Sequence, residues 1–333
     1  MVSSSRSGRP VRGRWAPTPS GFLHVGNART ALITWLSIRK QKGTLIWRLE
    51  DLDGPRTLPG ASEAGIEDLQ WLGLDWDEGG GYPGPHEPYV QSQRSSLYED
   101  ALRKLAGSER LFPCRLSRSD LKNLARAPHG HQGSGLPPYP ATLRPRQLSS
   151  SWFEDLMAES GSDAALRFRV GDEAMTFDDR VFGPLTERVD QTVGDFVLKR
   201  RDGLYAYQLA VVVDDLAMDV HEVVRGRDLL DSTARQIQLI EALSGSPPVW
   251  AHLPLVLNED GEKLSKRDQG LTLRSLRAAG VSAKNLVGYL AHSVGLLESC
   301  RPCSPQELVE SFAWERLHRE DWTLPTDLAS KLT

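Results

Sequence analysis

Cysteine is scarce, three in 333 residues, which excludes a disulfide-built scaffold and fits a reducing cytoplasm. No apolar run approaches the roughly 20 residues that a membrane-spanning helix needs. Positive charge is not in excess either. A formal net charge of −4 excludes a purely electrostatic nucleic-acid binder, so any RNA contact must come from local patches. Lys199-Arg200-Arg201 and Arg144–Arg146 are such patches, although a solvated surface is the ordinary reading of both. Walker A, kinase glycine-loop and dinucleotide fingerprints are all missing. The first residues are mostly Ser, Arg and Gly without an apolar stretch, so residues 1–12 read as a flexible tail and not a signal peptide. A cytoplasmic protein is expected, with 39% hydrophobic residues, enough for a sizeable core, and no coiled-coil pattern to suggest more than a monomer.

What is present is a strand–helix alternation. Trp15 belongs to a first strand, and Gly26–Lys42 carries Ala28, Ala31, Leu32, Trp35 and Ile38 at helical spacing. Leu45–Leu49 reads as a strand, Ser62–Leu72 and Arg94–Leu105 as helices, and Arg110–Cys114 as a strand. This predicts an α/β fold with a parallel sheet. The stretch from Pro128 to Pro145 is loop-like, and Leu166–Val170 and Val181–Phe182 are short strand candidates in a small α+β insertion. Phe196–Arg200 and Leu204–Tyr205 flank an Asp202-Gly203 turn. Helices are expected over Tyr207–Leu216 and Asp228–Leu243, and strands over Glu222–Val224 and His252–Asn258. Beyond Arg267 the chain reads as short helices, Leu271–Ala279, Ala283–Leu297 and Pro305–Phe312.

Two segments about 240 residues apart carry the chemistry. Arg14–Asn27 is a strand, a Pro/Gly turn and a helix N-terminus bearing His24 and Gly26, a place where polyphosphate can sit on backbone N–H groups. Lys263-Leu264-Ser265-Lys266-Arg267 adds cations on a polar loop after the turn Glu259-Asp260-Gly261. With Arg48-Leu49-Glu50-Asp51-Leu52-Asp53, Tyr207-Gln208-Leu209-Ala210, Asp214-Asp215 and Val223-Val224-Arg225-Gly226, these motifs stand in an order that resembles the catalytic core of glutamyl-tRNA synthetases, class I aminoacyl-tRNA synthetases. The resemblance runs from Gly13 to about Leu297. It implies a Rossmann-like catalytic domain over 13–110 and 187–245, an acceptor-binding-like insertion over 111–186, and a lysine-loop and helical module over 246–333. Only 66 residues follow Arg267, too few for an anticodon-binding domain of the usual size. That length, with Tyr207–Asp215, resembles the truncated branch of the family that glutamylates the queuosine base in the anticodon of tRNA(Asp). Two other readings remain, a shortened enzyme charging tRNA(Glu) and a non-catalytic RNA-binding paralogue.

The reaction so implied joins L-glutamate to ATP, with Mg²⁺, as an acyl-adenylate and passes the acyl group to tRNA. Its phosphoryl transition state is served by positioning and electrostatics. The resemblance assigns His24, Lys266 and Lys263 to catalysis, and His24, Gly26, Lys263, Ser265 and Lys266 to ATP. Arg14, Ala16, Thr18, Glu50, Tyr207 and Arg225 fall to glutamate. Arginine suits a carboxylate because its fork binds both oxygens, and Glu50 suits the ammonium. Asn27 takes the last place of the family's His-Ile-Gly-His signature, and Asp51 and Asp53 read as loop caps more than as metal ligands.

A zinc site found in many members is incomplete. Cys114 and Tyr139 remain, but Leu116 and Leu143 stand where two thiolates would, so zinc is expected to be absent and apolar packing to replace it. His129 and His131 are the remaining possible ligands, and Cys300 and Cys303 read as plain thiols.

Overall fold

The computed structural model of the chain describes residues 10–117, 119–121, 138–159, 163–264 and 271–333. Strand β1 (Arg12–Trp15) leads through the Pro/Gly turn into helix α1 (Val25–Lys40), and β2 (Thr44–Trp47) returns parallel to β1. Arg12 therefore lies inside the first strand and not in a tail, and its guanidinium grips Glu78 at 2.8 and 2.9 Å. Helices α2 (Ala61–Trp71) and α3 (Ser95–Gly107) follow, then β3 (Leu111–Cys114), α4 (Trp152–Ala158), β4 (Ala165–Phe168) and the hairpin of β5 (Met175–Asp179) with β6 (Gly183–Glu187). The chain continues with α5 (Val189–Thr192), β7 (Phe196–Lys199), α6 (Tyr207–Ala217), β8 (Glu222–Gly226), α7 (Thr233–Ala242), β9 (Val249–Leu253) and β10 (Val256–Leu257). Helices α8 (Leu273–Ala278), α9 (Ala283–Ser293) and α10 (Pro305–Val309), strand β11 (Trp322–Thr323) and helix α11 (Leu328–Leu332) complete it.

Six strands form the main sheet in the order β2-β1-β8-β9-β5-β6, parallel except for the edge strand β6. β3, β4 and β7 form a separate antiparallel sheet. Two expectations need correction here. Val181 and Phe182 form the turn between β5 and β6, where Asp179 accepts both of their backbone N–H groups at 2.9 Å. The β5–β6 hairpin extends the main sheet, while β7 pairs with β4. The second sheet thus draws on 111–168 and 196–199, not on a continuous 111–186.

Helix α1 has no solvent stripe over most of its length, because the sheet covers one side and α9 and α10 the other. Its Leu32, Trp35, Leu36 and Ile38 share one core with Leu286, Leu290 and Leu308, so the C-terminal helices complete the core that the first βα unit begins. A second core joins α3, α6 and α7 through Leu102, Val211, Leu239 and Phe196. The expected Asp228 helix opens as a 3₁₀ segment, Arg227–Ser232, and the strand expected over His252–Asn258 breaks at Pro254 into β9 and β10. Around Cys114 and Tyr139, whose sulfur and hydroxyl lie 3.6 Å apart, Leu116, Leu121, Leu143 and Leu148 pack as an apolar cluster. One thiol and one phenol are too few for a four-coordinate zinc site. Among the described residues no group of three or more His, Cys, Asp or Glu could hold a metal ion, and His129 and His131 lie outside them.

Candidate active site

β1 lies between β2 and β8, and the connections from these central strands diverge at their C-terminal ends, the position where open parallel sheets leave a crevice. A cleft of about 570 Å³ opens there, lined by Arg14, Ala16, Thr18, His24, Gly26, Asn27, Glu50, Tyr207, Arg225 and Lys263. The fold therefore gathers every described member of the expected glutamate and ATP sets at one place. Ser265 and Lys266 lie outside the described residues. The loop after β1 is pinned to the loop after β2 by the Glu50 N–H donating to Pro17 O at 3.0 Å. Asp51 accepts from the Ser92 backbone and hydroxyl at 2.8 and 2.7 Å, the loop-capping role expected of it.

At the phosphate end, His24 is the N-cap of α1. Its Nδ1 accepts from the backbone N–H groups of Gly26 (3.1 Å) and Asn27 (3.4 Å), and Asn27 Oδ1 accepts from the His24 N–H at 3.1 Å. This corrects the picture of a phosphate cradled directly by the helix N–H groups, because two of them are spent on the ring. With Nδ1 accepting, the ring proton sits on Nε2, so the imidazole presents the positive end of the helix to the cleft as a single donor. Gly26, which lines the cleft, also serves the His24 ring. A Cβ there would stand 3.0 Å from His24 Cε1 and 3.1 Å from Nδ1, so the glycine makes room for the ring to fold back. Gly26→Ala is expected to raise the KM for ATP about tenfold, roughly the worth of one displaced hydrogen bond to a charged group. Thermal stability should hold, because alanine favours the helix by about 0.5–1 kcal/mol. Steady-state ATP–pyrophosphate exchange beside a melting curve measures both. Lys263 is ion-paired to Asp228 on the 3₁₀ segment and is half exposed at the cleft edge.

At the other end lies a set of buried charges. Asp215 on α6 accepts from Arg48 at 2.6 Å and from Arg14 Nε at 3.2 Å, and Arg48 also reaches Glu50 Oε1 at 3.0 Å. Burial pushes the Asp215 carboxyl up, but Arg14 and Arg48 outweigh burial and hold it below the usual carboxylate range. For Glu50 the balance tips the other way, with burial raising its pKa more than Arg48 and Arg14 lower it. Burial likewise raises the Tyr207 hydroxyl, which lies in the field of Arg225, Glu50, Arg14 and Asp215 and so stays neutral.

Arg225 on β8 is 5% exposed and makes four hydrogen bonds, to His252 Nε2 (2.9 Å), Gln236 Oε1 (2.7 Å), Thr233 Oγ1 (2.9 Å) and Leu229 O (3.1 Å). All four partners are neutral groups, and among the described residues no carboxylate forms an ion pair with it. Burial pulls its pKa down. Its guanidinium also lies over Trp250, 4.7 Å from the ring centroid. A buried cation without a carboxylate partner on a cleft wall is costly to keep, and its chemistry suits an anion.

Several residues of this site carried no sequence signal as site residues. Arg48 stood within the Arg48–Asp53 motif and Asp215 within Asp214-Asp215, so both were visible without a role. His252, Gln236 and Thr233 carried no such mark. Nor did Arg29, fully buried on α1, which donates to Pro254 O at the break between β9 and β10. Its pKa is drawn down to about 10 by burial, which outweighs the field of Asp321 and Tyr289.

Residues 10–327 match the sequence family described as class I tRNA synthetases (E and Q), catalytic domain. The chain belongs to this synthetase family. The synthetase is 48% identical over 322 residues to the Glutamyl-Q tRNA(Asp) synthetase of Symbiobacterium thermophilum, a match covering 96% of this chain and 98% of that protein. It is 38% identical to the glutamate–tRNA ligase of Streptomyces coelicolor, where the match covers 86% of this chain and 58% of the ligase. Among solved structures, a glutamate tRNA ligase from Elizabethkingia meningosepticum in complex with its amino acid superposes with a TM-score of 0.83 at 26% identity, over 97% of this chain and 69% of that one. The Rossmann-like class I catalytic fold expected from the motifs is thus the fold of this synthetase. No helix among the described residues is long and apolar enough to cross a membrane.

Proposed function

We propose that this synthetase activates L-glutamate with ATP as glutamyl-adenylate and transfers the glutamyl group to the queuosine base of tRNA(Asp). The observation that carries the glutamate half is Arg225, a buried guanidinium on the cleft wall whose four partners are all neutral. The substrate γ-carboxylate supplies the missing anion. Arg14 flanks it, the neutral Tyr207 hydroxyl adds a hydrogen bond, and Glu50, of whose oxygens only Oε1 receives Arg48, receives the substrate ammonium. That ammonium lowers the Glu50 pKa that burial raises, so binding and ionisation support each other.

In the activation step a glutamate carboxylate oxygen attacks the α-phosphorus of ATP, and the bond to pyrophosphate breaks on the opposite side. His24 donates from Nε2 to the phosphate oxygens as charge shifts toward the leaving group. Lys266 and Lys263 supply cations to the pyrophosphate, where one well-placed donor contributes about 3 kcal/mol to the transition state. Lys263 must exchange Asp228 for phosphate to take part. ATP brings Mg²⁺ with it, and Asp51 is occupied by Ser92.

The acceptor rests on relatives. Proteins matching at 48, 42 and 41% identity are named Glutamyl-Q tRNA(Asp) synthetase, ahead of ligases at 38–39%. Radiolabelled glutamate should be transferred to queuosine-containing tRNA(Asp), and not to queuosine-free tRNA(Asp) or to tRNA(Glu). Transfer to tRNA(Glu) alone would overturn the acceptor while leaving glutamate activation intact.

A further inference from the structure

We propose that Asp179 and His252 are positioning residues for the substrate carboxylate, forming a buried chain Asp179–His252–Arg225 that fixes the guanidinium on the cleft wall. The proposal rests on the reading of Arg225 as the carboxylate receptor. β8 and β9 are parallel neighbours, and Arg225 is in register with His252. β5 pairs with β9 on its other side, through Asp179 and Trp250. Three adjacent strands thus each contribute one member. The His252 and Asp179 side chains are both fully excluded from solvent.

The hydrogen bonds determine the proton positions. Arginine carries only donors, so His252 Nε2, 2.9 Å from Arg225 Nε, must accept. The ring proton therefore sits on Nδ1 and is donated to Asp179 Oδ2 at 2.6 Å. Asp179 is itself immobilised, with Oδ1 accepting the Val181 and Phe182 N–H groups at 2.9 Å and Oδ2 accepting the His252 N–H at 3.0 Å. Thr233 Oγ1 lies 3.3 Å from the same Nε2, and the imidazole lies nearly parallel to the Trp250 ring, at 16°. Burial lowers the imidazole pKa more than Asp179 raises it, in keeping with a neutral ring.

The chemistry explains why an imidazole stands between the two charges. A carboxylate bonded directly to Arg225 would compete with the substrate for the guanidinium. With one neutral ring between them, Asp179 steadies the cation and leaves its outer face for the ligand. The same logic governs a catalytic histidine held in one tautomer by a buried aspartate. Here the histidine moves no proton and acts only through Arg225.

Asp179→Asn tests the chain. The amide oxygen keeps the Val181 and Phe182 contacts and the 3.3 Å contact from the His252 N–H, while the amide nitrogen replaces Oδ2 and faces His252 Nδ1 as a donor. The ring proton moves to Nε2 and confronts the Arg225 N–H. In glutamate-dependent ATP–pyrophosphate exchange, the KM for glutamate should rise about tenfold or more, the size expected for a lost hydrogen bond to a charged group, with the KM for ATP within about twofold of wild type. Nitrogen-15 NMR of histidine-labelled protein at neutral pH should show His252 protonated on Nδ1 in the wild type and on Nε2 in the variant. Equal changes in both KM values, or a wild-type ring protonated on Nε2, would sink the proposal. If Asp179→Asn fails to fold, His252→Leu and His252→Gln decide. The glutamine oxygen replaces Nε2 as acceptor and should restore the glutamate KM that leucine loses, whereas equal defects in the two refute positioning. Arg225→Ala in parallel separates the two levels. A wild-type glutamate KM for Arg225→Ala refutes the carboxylate reading itself. A defect there, beside an unaffected Asp179→Asn, refutes only the chain.

Discussion

Replacing Arg225 by alanine is expected to cut kcat/KM for glutamate in pyrophosphate exchange by about a thousandfold or more, with little loss of folded-state stability. The first part follows from removing one member of a desolvated charge pair, which costs roughly 2–5 kcal/mol or more. Saturating glutamate should not recover the rate, because without the grip on the γ-carboxylate the reacting α-carboxylate is not aimed at the α-phosphorus. The stability part rests on two opposing effects. Deleting a buried cation relieves the burial cost that lowers its pKa. Against this, Gln236 Oε1 and Leu229 O lose their donor, each costing about 1–3 kcal/mol if left dry. Thr233 Oγ1, already 3.3 Å from His252 Nε2, can donate there instead, so that acceptor stays satisfied. The net change should stay within about 1.5 kcal/mol by denaturant unfolding. Exchange within tenfold of wild type would remove Arg225 from the glutamate site. Arg225→Lys should fall between wild type and alanine, since it keeps the charge and loses the planar fork.

Arg225 also shows how far sequence carries. It was singled out because Val223-Val224-Arg225-Gly226 is one of the motifs that carry the family resemblance. Its charge and fork named the ligand chemistry. Its supports were hidden, because His252 and Asp179 reach it through lateral strand neighbours, and adjacency in a sheet is not written in the linear order. Asp179 lies in a hairpin that the local pattern placed in an insertion. What joined it to the main sheet was pairing with β9, some 70 residues later. Helix α1 was legible from its apolar spacing, with ends one or two residues off, since caps depend on contacts such as His24 Nδ1 to Gly26 N. The room that Gly26 gives the His24 ring was hidden for a similar reason. Sequence shows that a side chain is missing but not which neighbour occupies the space. Leu116 and Leu143, by contrast, do pack against Cys114 and Tyr139 as their apolar character implied.

Asp214 and Asp215, adjacent on α6, are expected to fail in different ways. Asp215→Ala takes from Arg14 its ion pair and leaves the fully buried Arg48 paired with Glu50 and in the field of Asp214, and removing one partner of a buried ion pair costs about 3–5 kcal/mol. The loss should extend to function, because Arg14 and Glu50 both line the cleft and Asp215 holds Arg14 directly and Glu50 through Arg48. Asp214 faces a different network, accepting from Arg94 Nε at 2.6 Å, Gln91 Nε2 at 2.8 Å and the Tyr98 hydroxyl at 2.9 Å. It ties α3 and the loop before it to α6, and none of its partners touches the cleft. Asp214→Asn should therefore lower stability and leave the glutamate KM near wild type, whereas Asp215→Asn should lower stability and raise that KM. The pH dependence carries the same signature. Because the folded-state pKa of Asp215 is depressed, its contribution is present above the ordinary carboxylate range and is lost as pH falls through the lowered value. The Asp215→Asn variant should then lose less stability on acidification than the wild type does. A matching acid slope in the two proteins would mean that Asp215 does not anchor the arginines, and a raised glutamate KM in Asp214→Asn would mean that the two networks are one.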